Sequence, residues 1–367
     1  MKIAILGTRG IPNYYGGFEQ ISGYLSVGLV QKGHSVTVYN SHNHPYQQNE
    51  WNGVNIIHCS DPEFLIGTAG QFIYDFNCLK NARTKDFDII LCMGYTSISV
   101  WGWFYPGKSL IISNMDGLEW KRTKFSKPVR RFLIYAEKLA VKYSNFYIAD
   151  SIPIQTYLEE KYSITTEYIP YGAEMYTNED EELLKEFSVS KQNYFLLIAR
   201  MEPENNIETI LNGFHNTESK KKILIIGNLK GSYDRRLVHK FSNDSRIQFI
   251  GALYDSRKLH TLRMFSYMYF HGHSVGGTNP SLLEAMASRA LIVAHDNPFN
   301  KAILGNDAYY FLNAGDLKQI IETTHKSEKE EKMIYNNFQK IKDNYSWQEI
   351  IDHYDDYIRK CYNSSKK

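Results

Sequence analysis

The chain has 367 residues, too long for one typical domain and right for two of ordinary size. Hydrophobic residues make up 43% and charged residues 22%, as in a soluble globular protein, and no stretch approaches the ~20 apolar residues of a membrane span. A net charge of +2 excludes a global polyanion binder, so any basic function must be local.

Lys2–Leu6 reads as a short buried strand. It leads into Gly7-Thr8-Arg9-Gly10-Ile11-Pro12 and then Tyr14-Tyr15-Gly16-Gly17. The glycines do not fall as GxGxxG, so the dinucleotide fingerprint is missing from its usual place. Phe18–Gln31 has helical spacing, with Ile21, Leu25, Leu29 and Val30 apolar, and Ser35–Tyr39 is the next strand. In this βαβ opening Gly16 and Gly17 would let a ligand approach the backbone closely, with Arg9 and Glu19 flanking; a plain loop tip is the alternative.

Val54–Cys59 and Ile89–Met93 are further strands. Asp86-Phe87-Asp88 has the DxD form of a metal–nucleotide motif but precedes its strand, whereas ligands of open α/β sheets gather at the strands' carboxyl ends. It is therefore discounted, no other Asp, Glu or His cluster has metal-ligand spacing, and no metal or other cofactor is expected. Cys59, Cys78, Cys92 and Cys361 lack such spacing too and read as reduced thiols of a cytoplasmic protein; the sequence shows no signal-peptide pattern. Leu110–Ser113 is a strand, and the loop Asn114–Trp120 at its carboxyl end sets Asp116 where a reactive side chain would stand, with Glu119 close behind. Asp116 would equally suit a turn ahead of Gly117.

Lys121–Lys142 is the most polarised segment. Lys121, Arg122, Lys124, Lys127, Arg130, Arg131, Lys138 and Lys142 are basic, and Glu137 is the only acid. From Pro128 on it reads as an amphipathic helix, fit for an anionic membrane surface through Lys127, Arg130 and Arg131, or simply a solvated face on a core helix. No nucleic-acid-binding motif accompanies it, and no nucleic-acid partner is expected.

Phe146–Asp150 and Glu167–Tyr171 are strands flanking a helix, Ser151–Tyr162, and the acidic stretch 177–191 reads as a linker with a surface helix. The βα pattern then restarts. Tyr194–Ala199 is a strand with Arg200 at its carboxyl end, Ile207–Phe214 a helix, and Ile223–Ile226 and Arg246–Ile250 strands. Met264–Phe270 has the look of a buried strand, and Gly276, Gly277, Thr278 and Asn279 follow. Asn279 suits an N-cap, Pro280 the first helical position, and Ser281–Ala287 a helix. Strand, glycine turn and capped helix place backbone N–H groups at the positive end of a helix dipole, ready for a diphosphate. Glu284, one turn on, faces the same crevice and suits a pair of ribose hydroxyls. Ala290–Ala294 is a strand, and Lys326–Lys340 and Trp347–Tyr362 are helices.

SLLEAMA after a glycine-bearing loop resembles the donor-site signature of the family 4 glycosyltransferases with the GT-B fold, in which a Glu precedes a second Glu by seven intervening residues. Glu284 matches the second Glu, and Gly276 stands at the first. HSVGGTN, with GTRGIPNYYGGFE and NMDGLEWKR, is similar to a bacterial rhamnosyltransferase subgroup that builds capsule, exopolysaccharide or lipopolysaccharide. The resemblance implies an α/β GT-B fold of two Rossmann-like domains facing a cleft: 1–175 on the acceptor side, a linker 176–191, a nucleotide-sugar donor domain 192–345, and a helix 346–367 crossing back to the first domain. It implies retaining transfer of a sugar, rhamnose from dTDP-rhamnose, to a polyprenyl-diphosphate-linked saccharide by a protein peripherally attached to the inner face of the cytoplasmic membrane. Arg200 matches an Arg on the donor diphosphate, while Asn205 stands where a Lys is usual. His273 is a candidate to compensate for Gly276 at the sugar hydroxyls, or else a buried structural His. Gly251-Ala252-Leu253 resembles the loop that takes the nucleobase. Asp116 stands where related enzymes often carry a catalytic-site His; it and Arg200 are the catalytic candidates. Gly16, Gly17, Asn205, His273, Gly276, Gly277, Thr278, Asn279, Ser281 and Glu284 join Arg200 at the donor, and Arg9, Glu19, Glu119, Lys121 and Arg122 are placed at the acceptor. A nucleotide-sugar 2-epimerase on the same architecture, or a non-catalytic sugar-nucleotide-binding partner protein, are the alternatives.

Overall fold

The structure, a computed structural model, describes every residue except Tyr15, Thr123, Asn178, Glu179 and Lys367. Positions 178 and 179 of the expected linker and 367 of the expected crossing helix therefore lie outside the described residues. The chain forms two compact units: Met1–Lys121, Phe125–Tyr171 and Trp347–Lys367 make one, and Arg122–Lys124 with Gly172–Ser346 the other.

The first unit is built on strands β1 (Lys2–Leu6), β2 (Ser35–Ser41), β3 (Glu50–Trp51), β4 (Val54–Cys59), β5 (Ile89–Cys92), β6 (Leu110–Met115), β7 (Phe146–Ala149) and β8 (Glu167–Tyr168). They form one sheet in the order β3-β4-β2-β1-β5-β6-β7-β8, in which every pairing is parallel except β3 with β4. Ile3 pairs with Val36 on one side and Ile89 on the other. Such inner strands are covered on both faces, which is why Ile3–Leu6 and Ile89–Cys92 are apolar without alternation. Helices α1 (Gly17–Gln31), α2 (Glu63–Ile66, a single turn), α3 (Gly70–Ala82), α4 (Lys127–Tyr143) and α5 (Ile152–Tyr162) cover the sheet, with a 3-10 stretch at Ile98–Phe104.

The second unit has β9 (Tyr194–Ile198), β10 (Lys222–Ile226), β11 (Ile247–Gly251), β12 (Met268–His271), β13 (Ile292–His295) and β14 (Tyr309–Phe311), all parallel, in the order β11-β10-β9-β12-β13-β14. Helices α6 (Ile207–His215), α7 (Ser232–Lys240), α8 (Ser256–Phe265), α9 (Pro280–Ala287), α10 (Pro298–Leu304), α11 (Ala314–Thr323) and α12 (Glu328–Asn344) surround it. Phe195, Leu197, Phe214, Ile225 and Phe270 centre its core. The apolar run Met264–Phe270 is not one strand: Met264 and Phe265 end α8, and the strand begins only at Met268. Asp255 starts α8 by accepting a bond from Lys258 N at 3.1 Å. A short apolar run cannot by itself tell a buried strand from a helix end.

The chain's next helix, α13 (Trp347–Ser364), belongs to the first unit. Trp347 stacks on Tyr24 of α1 at 4.2 Å, and His34 Nε2 lies 2.6 Å from Asp355 Oδ1. Among the described residues no helix is long and apolar enough to cross a membrane.

Candidate functional site

In each sheet the strand order reverses at one place, and such a switch point opens a crevice at the carboxyl ends of the two strands beside it. In the second unit these strands are β9 and β12. Arg200, exposed, follows β9; the turn from Gly272 to Asn279 follows β12 and enters α9. Asn279 Oδ1 accepts from Ser281 N at 2.9 Å and Pro280 is the first helical residue, so the expected cap is present. Gly276 holds φ at +129°, a conformation L side chains rarely adopt, and a Cβ there would lie 3.0 Å from His273 Nε2.

The loop after β9 is laced to this turn. A Cβ on Gly272 would fall 2.0 Å from the Asn205 carbonyl oxygen, so the two backbones touch. Asn206 Nδ2 donates to Gly272 O at 2.8 Å, and Ser274 N to Glu204 O at 3.1 Å. Asn205 itself is buried. Its Nδ2 donates to Arg200 O at 2.7 Å, which leaves Oδ1 as the acceptor facing His273 Nδ1 at 2.9 Å. His273 Nδ1 must then carry the proton and Nε2 the lone pair, aimed at the side-chain-free Gly276. Burial, reinforced by His271, Arg122 and Arg200, holds the His273 pKa well below its ordinary value, so the ring stays neutral.

Glu284 sits one turn into α9, half-buried, and takes a 2.6 Å bond from Arg263 Nη2 of α8. The same nitrogen reaches Ser281 Oγ at 3.2 Å, and Tyr269 Oη lies 2.8 Å from that hydroxyl. Arg263 is a residue sequence reasoning missed; with α8 unseen, its spacing from Glu284 carried no signal.

Arg122, read as acceptor-side, groups with the second unit, with Nη1 3.8 Å from both Glu202 Oε2 and Glu204 Oε1, while Lys124 Nζ lies 2.9 Å from Glu202 Oε1. Burial acts to raise the Glu202 carboxyl, but Lys124, Arg200 and Arg122 outweigh it and hold it below the usual range. The loop after β9 thus gathers three cations beside the glycine turn.

In the first unit the order reverses between β1 and β5. The glycine loop after β1 is fastened from within. Buried Glu19 accepts from Arg9 N at 2.9 Å and Thr8 Oγ1 at 3.4 Å. The Arg9 guanidinium donates twice to Glu63 of α2, at 3.0 and 2.8 Å. Both residues, expected to flank an acceptor, are engaged in shaping the loop that brings Gly16 and Gly17 to the start of α1. Asp116 stands half-buried past the end of β6, its turn pinned by Tyr95 Oη donating to Gly117 O at 2.9 Å. Glu119 is half-buried, and exposed Lys121 lies over the Trp120 ring at 5.5 Å. On α4, Lys127 and Arg131 are exposed, while Arg130 is half-buried. Asp88, just ahead of β5, accepts from Lys2 N at the start of β1 at 2.7 Å and from Tyr362 Oη of α13 at 3.2 Å.

Residues 1–174 match the model of a domain of unknown function (DUF1972), and residues 178–340 match that of glycosyl transferases group 1. No protein of curated function matches. Among solved structures the chain is similar to sucrose-phosphate synthase from Thermosynechococcus elongatus, with a TM-score of 0.84, 15% identity and 99% of each chain covered. It is also similar to Anabaena Alr3699/HepE in complex with UDP-glucose, with a TM-score of 0.77 and 15% identity over 98% of this chain and 100% of that one. The catalytic domain of starch synthase IV from Arabidopsis thaliana, bound to ADP and acarbose, gives a TM-score of 0.75 at 12% identity, with 99% of each chain covered. At these identities the likeness is one of fold. Taken with the two largely parallel sheets, it makes the architecture GT-B, with residues 178–340 similar to the glycosyl transferases group 1.

Proposed function

We propose that the protein is a glycosyltransferase that moves a sugar from a nucleotide-diphosphate donor to a lipid-linked saccharide during surface polysaccharide biosynthesis. One observation carries this reading: Arg200 and the capped start of α9 flank the switch point between β9 and β12, with Glu284 one turn on. The likeness to folds solved with UDP-glucose and with ADP and acarbose supports it.

The roles follow from the chemistry of each group. Charge developing on the leaving diphosphate is met by the Arg200 guanidinium and by N–H groups around Thr278–Ser281 at the positive end of α9. Gly276 and Gly277 let the phosphates approach the backbone. Glu284, oriented by Arg263, accepts the ribose hydroxyls. The His273 Nε2 lone pair accepts from a hydroxyl of the transferred sugar, with Asn205 fixing the tautomer; this arrangement answers the absence of a carboxylate at Gly276. Asp116 is the residue placed to meet the acceptor hydroxyl. Transfer retains anomeric configuration and needs no metal, a reading supported by Asp86 and Asp88 preceding their strand rather than following it. The donor is dTDP-rhamnose. The exposed basic face of α4, with Lys127 and Arg131, holds the protein to the inner, anionic face of the cytoplasmic membrane, beside a polyprenyl-diphosphate-linked acceptor.

Incubation with labelled dTDP-, UDP- and GDP-sugars and a bacterial lipid extract tests this. Transfer of label into lipid, unaffected by EDTA, is the expected result. Interconversion of the sugar would establish an epimerase, binding without turnover a non-catalytic partner protein, and rescue of an EDTA-inactivated enzyme by manganese or magnesium would overturn the metal-free reading.

A further inference from the structure

The first unit carries an apolar ridge that no part of the described chain covers. Phe64, Leu65 and Ile66, successive residues of α2, are 67%, 72% and 51% exposed, and Trp103 is 64% exposed. Ile73 of α3 and Tyr135 of α4 are exposed as well. These elements adjoin: α2 packs on α3, and both α3 and α4 pack on the 98–104 stretch. Phe72 of α3 meets Phe132 of α4 at 5.6 Å, and Trp101 Nε1 donates to Phe72 O at 2.8 Å. Single exposed apolar residues are ordinary, but three in a row on one turn mark an interaction surface.

The charge beside the ridge identifies the occupant. Lys127, Arg131, Lys138 and Lys142 are exposed along one stripe of α4, and the acid of that helix, Glu137, is buried away from it. Apolar side chains next to an unrelieved row of cations complement the anionic headgroups and acyl boundary of a bilayer.

We infer that Phe64, Leu65 and Ile66 penetrate an anionic bilayer surface while the exposed stripe of α4 lies on its headgroups. The inference rests on the membrane-attachment reading of α4 and adds to it an apolar contact that salt does not screen. It also ties the membrane to the glycine loop. Glu63, the first residue of α2, takes both Arg9 bonds, and its own N–H is held by Asp61 Oδ1 at 2.9 Å. Arg9 thus fastens the start of the loop after β1 to α2, and seating the ridge brings that part of the loop toward the lipid interface.

The test compares vesicle co-sedimentation of the full chain, a charge variant (Lys127→Gln, Arg131→Gln, Lys138→Gln) and a ridge variant (Leu65→Ser, Ile66→Ser), each checked for an unchanged thermal melt. Vesicles of phosphatidylcholine with and without phosphatidylglycerol are used at low and high salt. The expected result is at least tenfold weaker binding by each variant to anionic vesicles at low salt. The residual high-salt binding of the wild type should be lost in the ridge variant only. Brominated acyl chains should quench the fluorescence of a Leu65→Trp variant more strongly than that of the wild type. If the charge variant is weakened but the ridge variant binds like wild type, penetration is overturned and surface attachment stands. Equal binding by all three overturns both. A ridge variant that changes only the oligomeric state would assign the ridge to a second copy of the chain and overturn the inference.

Discussion

Asn205 and Gly276 depart from the pattern their neighbours follow, and the structure links the two departures. A lysine at 205 could not accept from His273 Nδ1, and a side chain at 276 would meet His273 Nε2. Replacing Asn205 with Leu removes the bond to Arg200 O and the acceptor that sets the imidazole tautomer, at a cost of about 1–3 kcal/mol for each buried group left unpaired. Donor binding should weaken tenfold or more, with a smaller loss for the free nucleoside diphosphate, measured by calorimetry with both ligands. Arg200→Ala forfeits a charge-assisted contact of about 1.5–3 kcal/mol, so transfer should slow by roughly one to two orders of magnitude at about 1.4 kcal/mol per tenfold. Wild-type turnover in that variant would place the diphosphate elsewhere. Glu284→Gln should raise the Kd for the nucleotide and leave the melting temperature within a degree or two; unchanged donor kinetics would remove it from the ribose. The places of Arg200 and Glu284 and the cap by Asn279 were legible in the sequence because each follows from position relative to one strand or one helix start. Arg263 and Glu63 were not, because each acts through a partner on another element, and nothing in local spacing encodes that meeting.

At the scale of elements, α4 shows why a charge count needs a structure beside it. Its lone acid, Glu137, reads as a minor offset to the eight cations of 121–142, five of them on α4 itself. In the fold it is a buried hub, accepting from Tyr157 Oη at 2.9 Å, Lys161 Nζ at 2.8 Å, Tyr162 Oη at 2.5 Å and Trp120 Nε1 at 3.3 Å. Burial alone would lower the Lys161 pKa, yet the bonds to Glu137, Tyr157 and Tyr162 prevail and raise it above its ordinary value. This hub clips α5 and the Asp116 loop to α4. Glu137→Ala should therefore destabilise the first unit by about 2–4 kcal/mol in urea titration, and a loss under 0.5 kcal/mol would contradict the hub. Element types along the first sheet were plain from apolar runs buried on both faces. The α8–β12 junction was not, because helix end and strand are apolar in one unbroken stretch.

At the scale of the whole molecule, His271 and His273 are both buried, and burial first, then neighbouring charge, lowers their pKa values, that of His271 to about 3. The folded state refuses protons that these rings take up once unfolded, near the ordinary value of 6.5. Stability from this source is full above pH 6.5 and is lost as pH falls below it, by about 1.4 kcal/mol per pH unit for each ring until its folded pKa is reached. Urea midpoints should drop between pH 7.5 and 5.5, and His271→Gln should flatten that slope; a slope identical to wild type would exempt His271. The placement of α13 has a consequence of timing. Its Trp347 and Asp355 complete the first unit, yet a ribosome must translate all of 172–346 before it can make them. At roughly 5–20 residues per second, the nascent first unit waits on the order of ten to thirty seconds with the α13-facing side of α1 uncovered, while the second unit can already close on itself. Birth order and architectural order run opposite ways in this chain.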